Sequence, residues 1–166
     1  MAVRPVVRLP DPVLTTPSAA VGRIDDAARR LAADLFDTMR ASPACVGLAA
    51  PQIGVGLRAF VLDVTGHPKA VSCHGVVVMF DPVVLDAGEP VTAREGCMSV
   101  PDLTGDVARA GRMAVEGTGL DGERSVVEAD AFEARAFQHE IDHLDGLVFL
   151  DRVSGPGAVH RRKVYK

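Results

Sequence analysis

Two histidines four residues apart, with a glutamate beside the first, stand in the segment His139-Glu140-Ile141-Asp142-His143. On a helix, positions i and i+4 lie one above the other on the same face, so two imidazoles in this relation can grip one metal ion. A carboxylate beside such an ion can accept a proton from an activated water and return it to a leaving group, which separates a catalytic site from a structural one. Two imidazoles leave a metal underligated, so a third protein ligand must come from elsewhere in the chain. After Gly146 the chain offers only His160, in a basic segment. Upstream, Glu95-Gly96-Cys97-Met98-Ser99 places a cysteine between a glycine and a strand-like run. As a thiolate, Cys97 would complete a Cys-His-His set with one open position. Cys45 and Cys73 compete for the role, against the plainer reading that each is a small buried residue or an inert loop thiol. For the motif as a whole, the plain alternative is a solvated helix with two idle histidines.

These residues need elements to hold them. The run from Ala131 to Gly146 carries Phe137, Ile141 and Leu144, with Val148 just beyond it, at three- or four-residue intervals, so it predicts a helix packed on a sheet. Asp130 and Glu133 have the spacing of a capping box, and Gly146 stands where the helix would stop. Near the start, Ile24, Ala27, Ala28, Leu31, Leu35 and Met39 repeat at helical spacing with charges on the other face, predicting an amphipathic helix over 24–39. Between the two, ACVGLAAPQIGVG predicts loop and short strand, while Leu57–Val64, Val76–Phe80, Val83–Leu85 and Met113–Glu116 predict strands. Gly88 and Asp121-Gly122 are turn signals. The pattern is an α+β fold: an N-terminal amphipathic helix, mixed or antiparallel sheets in the middle, and the metal-binding helix near the C-terminus. One domain over 1–166 is expected, with 154–166 as a short, solvated basic tail.

Composition bounds the function. The chain has 166 residues, is 48% hydrophobic and 24% charged, and carries a formal charge of −4, which excludes wholesale disorder. Mild acidity, no tryptophan and a single tyrosine exclude a general nucleic-acid binder. The longest uncharged run, Ala41–Leu57, is broken by prolines and too short for a bilayer span. Three cysteines are too few and odd for a disulfide framework, and no signal-like segment opens the chain, so a reducing cytoplasm is the expected compartment.

Three segments, GLAAPQ at Gly47–Gln52, EGCMS at Glu95–Ser99 and QHEIDH at Gln138–His143, resemble the three signature motifs of peptide deformylases, in order and at fitting separations. The resemblance covers roughly Val7–Val153. It implies that Cys97, His139 and His143 are the metal ligands, with ferrous iron the usual ion and zinc, nickel or cobalt able to replace it. It implies Glu140 as general acid and base, Gln52 and the Met98 N–H as oxyanion donors, and Gly47 as a backbone contact to substrate. The implied reaction removes the formyl group from the initiator methionine of N-formylmethionyl peptides, with a transient, weak ribosome association and a monomeric enzyme. One and two turns before His139, Ala136 and Phe132 share its face and with Val46 are candidates to line the methionine pocket, against plain core packing for Phe132. Arg135 could close that pocket with its stem or pair with a carboxylate.

The resemblance is imperfect in places. Cys45 stands where the family usually has glycine, which bears on substrate fit more than on metal binding. Thr104 stands where many members have a peptide-contacting arginine, and Ala108 where a proline is common. Little follows His160 of the C-terminal helix with which some bacterial members dock on the ribosome. Two rivals remain at this point: a deformylase-like metal-binding protein with low or divergent activity, sequestering an inhibitor or a formyl-peptide, and an HExxH peptidase. Intact Glu140 and Gln52 weigh against the first, and the lack of a convincing downstream ligand weighs against the second.

Overall fold

A computed structural model describes residues 2–163, which form two α-helices and eight β-strands. In chain order these are α1 (Asp26–Ala41), β1 (Gly47–Ala49), β2 (Ala59–Leu62), β3 (Val77–Ala87), β4 (Pro90–Cys97), β5 (Val100–Ala110), β6 (Arg112–Thr118), β7 (Arg124–Asp130), α2 (Ala131–Leu144) and β8 (Val159–Arg161). The architecture is α+β, and the strand ladders are all antiparallel. One sheet has the order β1-β2-β3-β6-β7 and the other β4-β5-β8. Among the described residues no helix is long and apolar enough to cross a membrane.

The first helix starts two residues later than its apolar stripe suggests, because the Asp25 carboxylate accepts from the Ala28 N–H and sets the N-cap there. Its buried face, Ala28, Leu31, Leu35 and Met39, packs on one side of β1 and β2 together with Leu48, Val61 and Phe80. The second helix covers the opposite side, where Phe137, Ile141 and Leu144 meet Phe60, Leu62, Met79 and Val115. Strand β2 is therefore buried on both faces, which is why Ala59-Phe60-Val61-Leu62 is apolar throughout rather than alternating. A third cluster, Cys97, Val100, Val107 and Phe149, lies under the smaller sheet.

Several expectations are corrected. Val76–Phe80 and Val83–Leu85 are one strand, β3, with a bulge between Phe80 and Val83. Asp81 sits in the bulge at φ 48°, held there because its carboxylate accepts from the Val21 and Gly22 N–H groups at 2.8 Å each. Strands β4, β5 and β7 are not legible in the apolar pattern, since their exposed faces carry Arg94, Asp106, Arg124 and Glu128 and only pairing across a hairpin makes them strands. The capping box does not form. Asp130 accepts instead from Ser72 N (3.0 Å), and Glu133 from His74 N (2.7 Å) and Ser72 Oγ (2.8 Å), because the loop at 72–74 folds over the helix start and supplies nearer donors. The basic tail is not merely solvated: Val159–Arg161 adds to β5 as β8, satisfying that strand's second edge. Residues 164–166 of the expected tail lie outside the described residues.

Helix α2 ends as expected near Gly146, whose φ of 77° suits glycine and whose Cα lies so close to the Thr15–Pro17 backbone that an added Cβ would come within 2.9 Å of it. Phe137, fully buried, meets Phe60 edge-on at 5.8 Å and joins α2 to the sheet. Phe137→Ala is expected to lower unfolding free energy by about 3–5 kcal/mol, as read from urea denaturation.

Candidate metal centre and active site

His139 and His143 project from one face of α2 with ring centroids 5.0 Å apart. Cys97 reaches them from the end of β4, where the ladder with β5 shifts register between Gly96 and Cys97 and turns the cysteine out of the regular pleat. One ligand atom from each of the three lies within 4.8 Å of the others. The Cys97 Sγ to His143 Nε2 separation is 3.4 Å. A tetrahedral ion with bonds of about 2.3 Å to sulfur and about 2.0 Å to nitrogen requires an edge of about 3.5 Å. A buried thiolate with two imidazoles is a donor set for zinc, iron, nickel or cobalt, so the residues present fit a divalent ion. Burial alone would push the Cys97 thiol up, but the facing His143 and His139 more than offset it and hold it well below the usual thiol range.

The rival ligands lie elsewhere. His160 Nε2 donates to Asp106 Oδ2, 2.9 Å away on the smaller sheet. Cys73 is exposed beside Thr65. Cys45 lines the cavity but turns its thiol to the Gly47 carbonyl at 3.1 Å, and burial, joined by the Glu140 charge, pushes it up to about 12. It is a neutral hydrogen-bond donor at neutral pH.

Glu140 is buried against β1. A Cβ added to Gly47 would fall 2.6 Å from Glu140 Oε1, so the carboxylate occupies the space that any side chain at 47 would need. Its other oxygen, Oε2, is buried without a partner among the described residues. Burial raises the carboxyl to about 6, with His139 and His143 pulling the other way, which suits a group that must both accept and release a proton near neutrality. Gln52 sits in the 3-10 turn Ala50–Ile53 that follows β1. Its Oε1 accepts from Ala49 N (3.0 Å), which fixes the amide so that Nε2 faces Ser99 Oγ (3.2 Å) and Cys97 Sγ (3.5 Å). The extended N-terminal segment ties both site loops together, Val7 N donating to Gln52 O (2.7 Å) and Leu9 N to Ser99 O (3.0 Å). Met98 lines the same cavity.

Sequence reasoning overlooked the residues that hold the ligands. Glu95 accepts both guanidinium arms of Arg109 at 2.7 and 2.9 Å, accepts from Arg135 Nη1 at 3.0 Å, and meets His139 Nδ1 at 2.5 Å. His139 is thereby oriented with Nε2 toward Cys97 and His143. Arg109 continues to Asp142 at 2.8 Å, and Arg152 closes on the same carboxylate at 2.9 and 3.1 Å. Burial alone would raise the Glu95 carboxyl, but Arg109 and His139 hold it well below the usual carboxylate range. The signal was present in Glu95, two positions from Cys97, and in Asp142, inside the histidine motif, both apart from their partner Arg109 in sequence.

The site opens into a cavity of about 430 Å³ that Val46, Gly47, Phe132, Arg135 and Ala136 line together with Gln52 and Glu140. His67, which no motif marked, also lines it and stacks on Phe132 with ring centroids 3.8 Å apart and planes 4° from parallel. Arg135 pairs with a carboxylate, its guanidinium donating to Glu95 and the Val107 carbonyl, and the residue lines the cavity.

An α+β fold that brings a thiolate, two imidazoles and a buried carboxyl to one cavity defines a metal-dependent hydrolase. A family model described as polypeptide deformylase matches residues 3–158. A peptide deformylase of Desulforudis audaxviator is 44% identical over 163 residues, covering 98% of this chain and 99% of that protein. The crystal structure of peptide deformylase from Thermotoga maritima superposes with a TM-score of 0.84 at 33% identity, covering 93% of this chain and 100% of that one. A Met-Ala-Ser-bound class I type b peptide deformylase from Acinetobacter baumannii superposes with a TM-score of 0.81 at 32% identity, covering 92% and 100%. The chain belongs to the polypeptide deformylase family.

Two substitutions probe this arrangement. Glu95→Gln removes the charge that Arg109 and His139 share, and metal affinity measured by chelator competition is expected to fall by about 10–100-fold. Gly47→Ala forces the Glu140 carboxylate from its place, so kcat is expected to drop by about 10²-fold or more while bound metal, measured by elemental analysis, stays at the wild-type level.

Proposed function

We propose that this chain removes the formyl group from the initiator methionine of nascent polypeptides through Cys97, His139 and His143 as metal ligands and Glu140 as proton carrier. The observation that carries this reading is the Glu140 carboxyl, buried against Gly47 with one oxygen unpartnered beside the Cys-His-His cluster, in a chain of the deformylase family. We take the ion to be ferrous iron, with zinc, nickel or cobalt able to replace it. When bound, such an ion supplies Lewis acidity, polarising a carbonyl oxygen and lowering the pKa of water toward about 7.

The residues divide the remaining work. Water adds its oxygen to the formyl carbon, the C–N bond breaks, and formate and a free amino terminus leave. Glu140 takes the water's proton through Oε2 and delivers it to the departing nitrogen, for which a carboxyl near 6 is matched to neutral pH. The Gln52 amide, locked by Ala49 N with Nε2 beside the Cys97 sulfur, and the Met98 N–H donate to the oxygen as it gains charge. Such preorganised donors are worth about 3–4 kcal/mol each. Val46, Phe132 and Ala136 receive the methionine side chain, whose sulfur suits the aromatic face that His67 and Phe132 build. A metal ligand that is a buried thiolate, among three unpaired cysteines, fits a reducing cytoplasm where initiator methionines are formylated.

The test is formate release from formyl-Met-Ala-Ser by protein purified anaerobically and loaded with iron or nickel. Wild type is expected to turn over, and Glu140→Ala to lose about 10²–10⁴-fold in kcat at unchanged metal content. A loaded wild-type protein that releases no formate overturns the reading.

A further inference from the structure

Arg162 lies just beyond β8, outside all three motifs, and none of the chemistry above uses it. Its main-chain N–H donates to the Asp102 carbonyl at 2.9 Å, so the pairing of β8 with β5 fixes where the side chain begins. The guanidinium then folds across Gly96 on β4, where an added Cβ would stand 2.3 Å from Nη2. Glycine at 96 is what allows the cation to lie flat against the strand. Nη2 comes within 3.5 Å of the Cys97 carbonyl, too long to satisfy a guanidinium donor. Among the described residues no carboxylate pairs with Arg162, whereas nearby Arg94 is held by Asp106 at 2.8 Å. Arg162, Gly96 and Thr104 together line the cavity that holds the Cys-His-His cluster.

A charged fork with open donors thus stands one residue's backbone away from the ligand Cys97, at the part of the cavity that Thr104 lines. A guanidinium so placed takes acceptor oxygens from a ligand. A main-chain carbonyl is the acceptor that every nascent chain offers, whatever its sequence. We infer that Arg162 is a substrate-binding residue that donates a hydrogen bond to a main-chain carbonyl of the peptide beyond its formylated first residue. The inference rests on the deformylase reading above and gives the C-terminal strand a part in holding substrate.

The experiment compares two uncharged substrates, formyl-Met-Ala-Ser-amide and formylmethioninamide, the second of which has no carbonyl beyond the first residue. Wild type, Arg162→Ala and Arg162→Lys are assayed at equal metal content. In Arg162→Ala the ratio of kcat/KM for the longer substrate to that for the shorter is expected to fall about tenfold, through KM, the size of one charge-assisted hydrogen bond. Arg162→Lys is expected to recover part of the ratio. A ratio unchanged in Arg162→Ala, whether both substrates slow alike or neither does, overturns the inference and leaves the deformylase reading standing. Wild type that deformylates neither substrate overturns both.

Discussion

Arg109 is the constraint on which the rest of the site depends. Its side chain is 3% exposed and bridges Glu95 on β4 to Asp142 on α2. The smaller sheet carries Cys97 and the helix carries His139 and His143, so this guanidinium, with Arg135 and the direct contact of Glu95 and His139, ties together the two halves of the candidate metal centre. A planar fork with five donors can hold Glu95 by two parallel bonds and still reach Asp142, a geometry that the single nitrogen of lysine could not supply. Burying such a network is costly unless every lone pair is met, and here Arg135 and Arg152 complete the two carboxylates. What the network secures is geometry: Glu95 reaches through to His139 Nδ1 and leaves the other nitrogen for the metal.

The carboxyl proposed as the proton carrier is treated in the opposite way. Glu95 is saturated with cations and stays ionised, whereas Glu140, on the same helix as Asp142, is buried with one oxygen unpartnered and rises to about 6. Two glutamates in one site are thus set apart by their surroundings alone, one held as a fixed anion and one raised toward neutrality. Gly47 contributes by having no side chain, since the Glu140 carboxylate fills the space beside its Cα. The departure at Cys45 is accommodated for a related reason. Its thiol is buried, neutral and turned to the Gly47 carbonyl, so it adds neither a charge nor a competing ligand.

Helix α2 serves both sheets. Its Phe137 and Leu144 pack on the larger sheet, its histidines and Asp142 face the smaller one, and Phe132 at its first turn stacks on His67 from the loop after β2. That loop is fastened to the helix start by Glu133, which is fully buried and takes Ser72 and His74. A pair of residues that resembled a local cap therefore ties a distant loop to the wall of the cavity.

What could be read from the sequence was local. The apolar stripe of α1, the i,i+4 pair of histidines with Glu140 between them, and the apolar run of β2 are written in periods of two to four residues, which no distant contact needs to complete. The choice of ligand was narrowed to three cysteines and His160 by chemistry. Only the fold brings Cys97 to a histidine 46 positions away while pairing His160 with Asp106. Strands β4 and β5 were hidden because charges on their outer faces broke the alternation, and β8 because its basic residues resemble a solvated end until β5 pairs with them. Arg109 and His67 belong to no motif, since a salt bridge or a ring stack is defined by proximity in space, and chain spacing carries no record of it. The residue types thus determined which chemistry was available, and tertiary packing decided which of them meet in one Cys-His-His cluster, which are bound up in ion pairs around it, and which donors stay unpaired at the cavity.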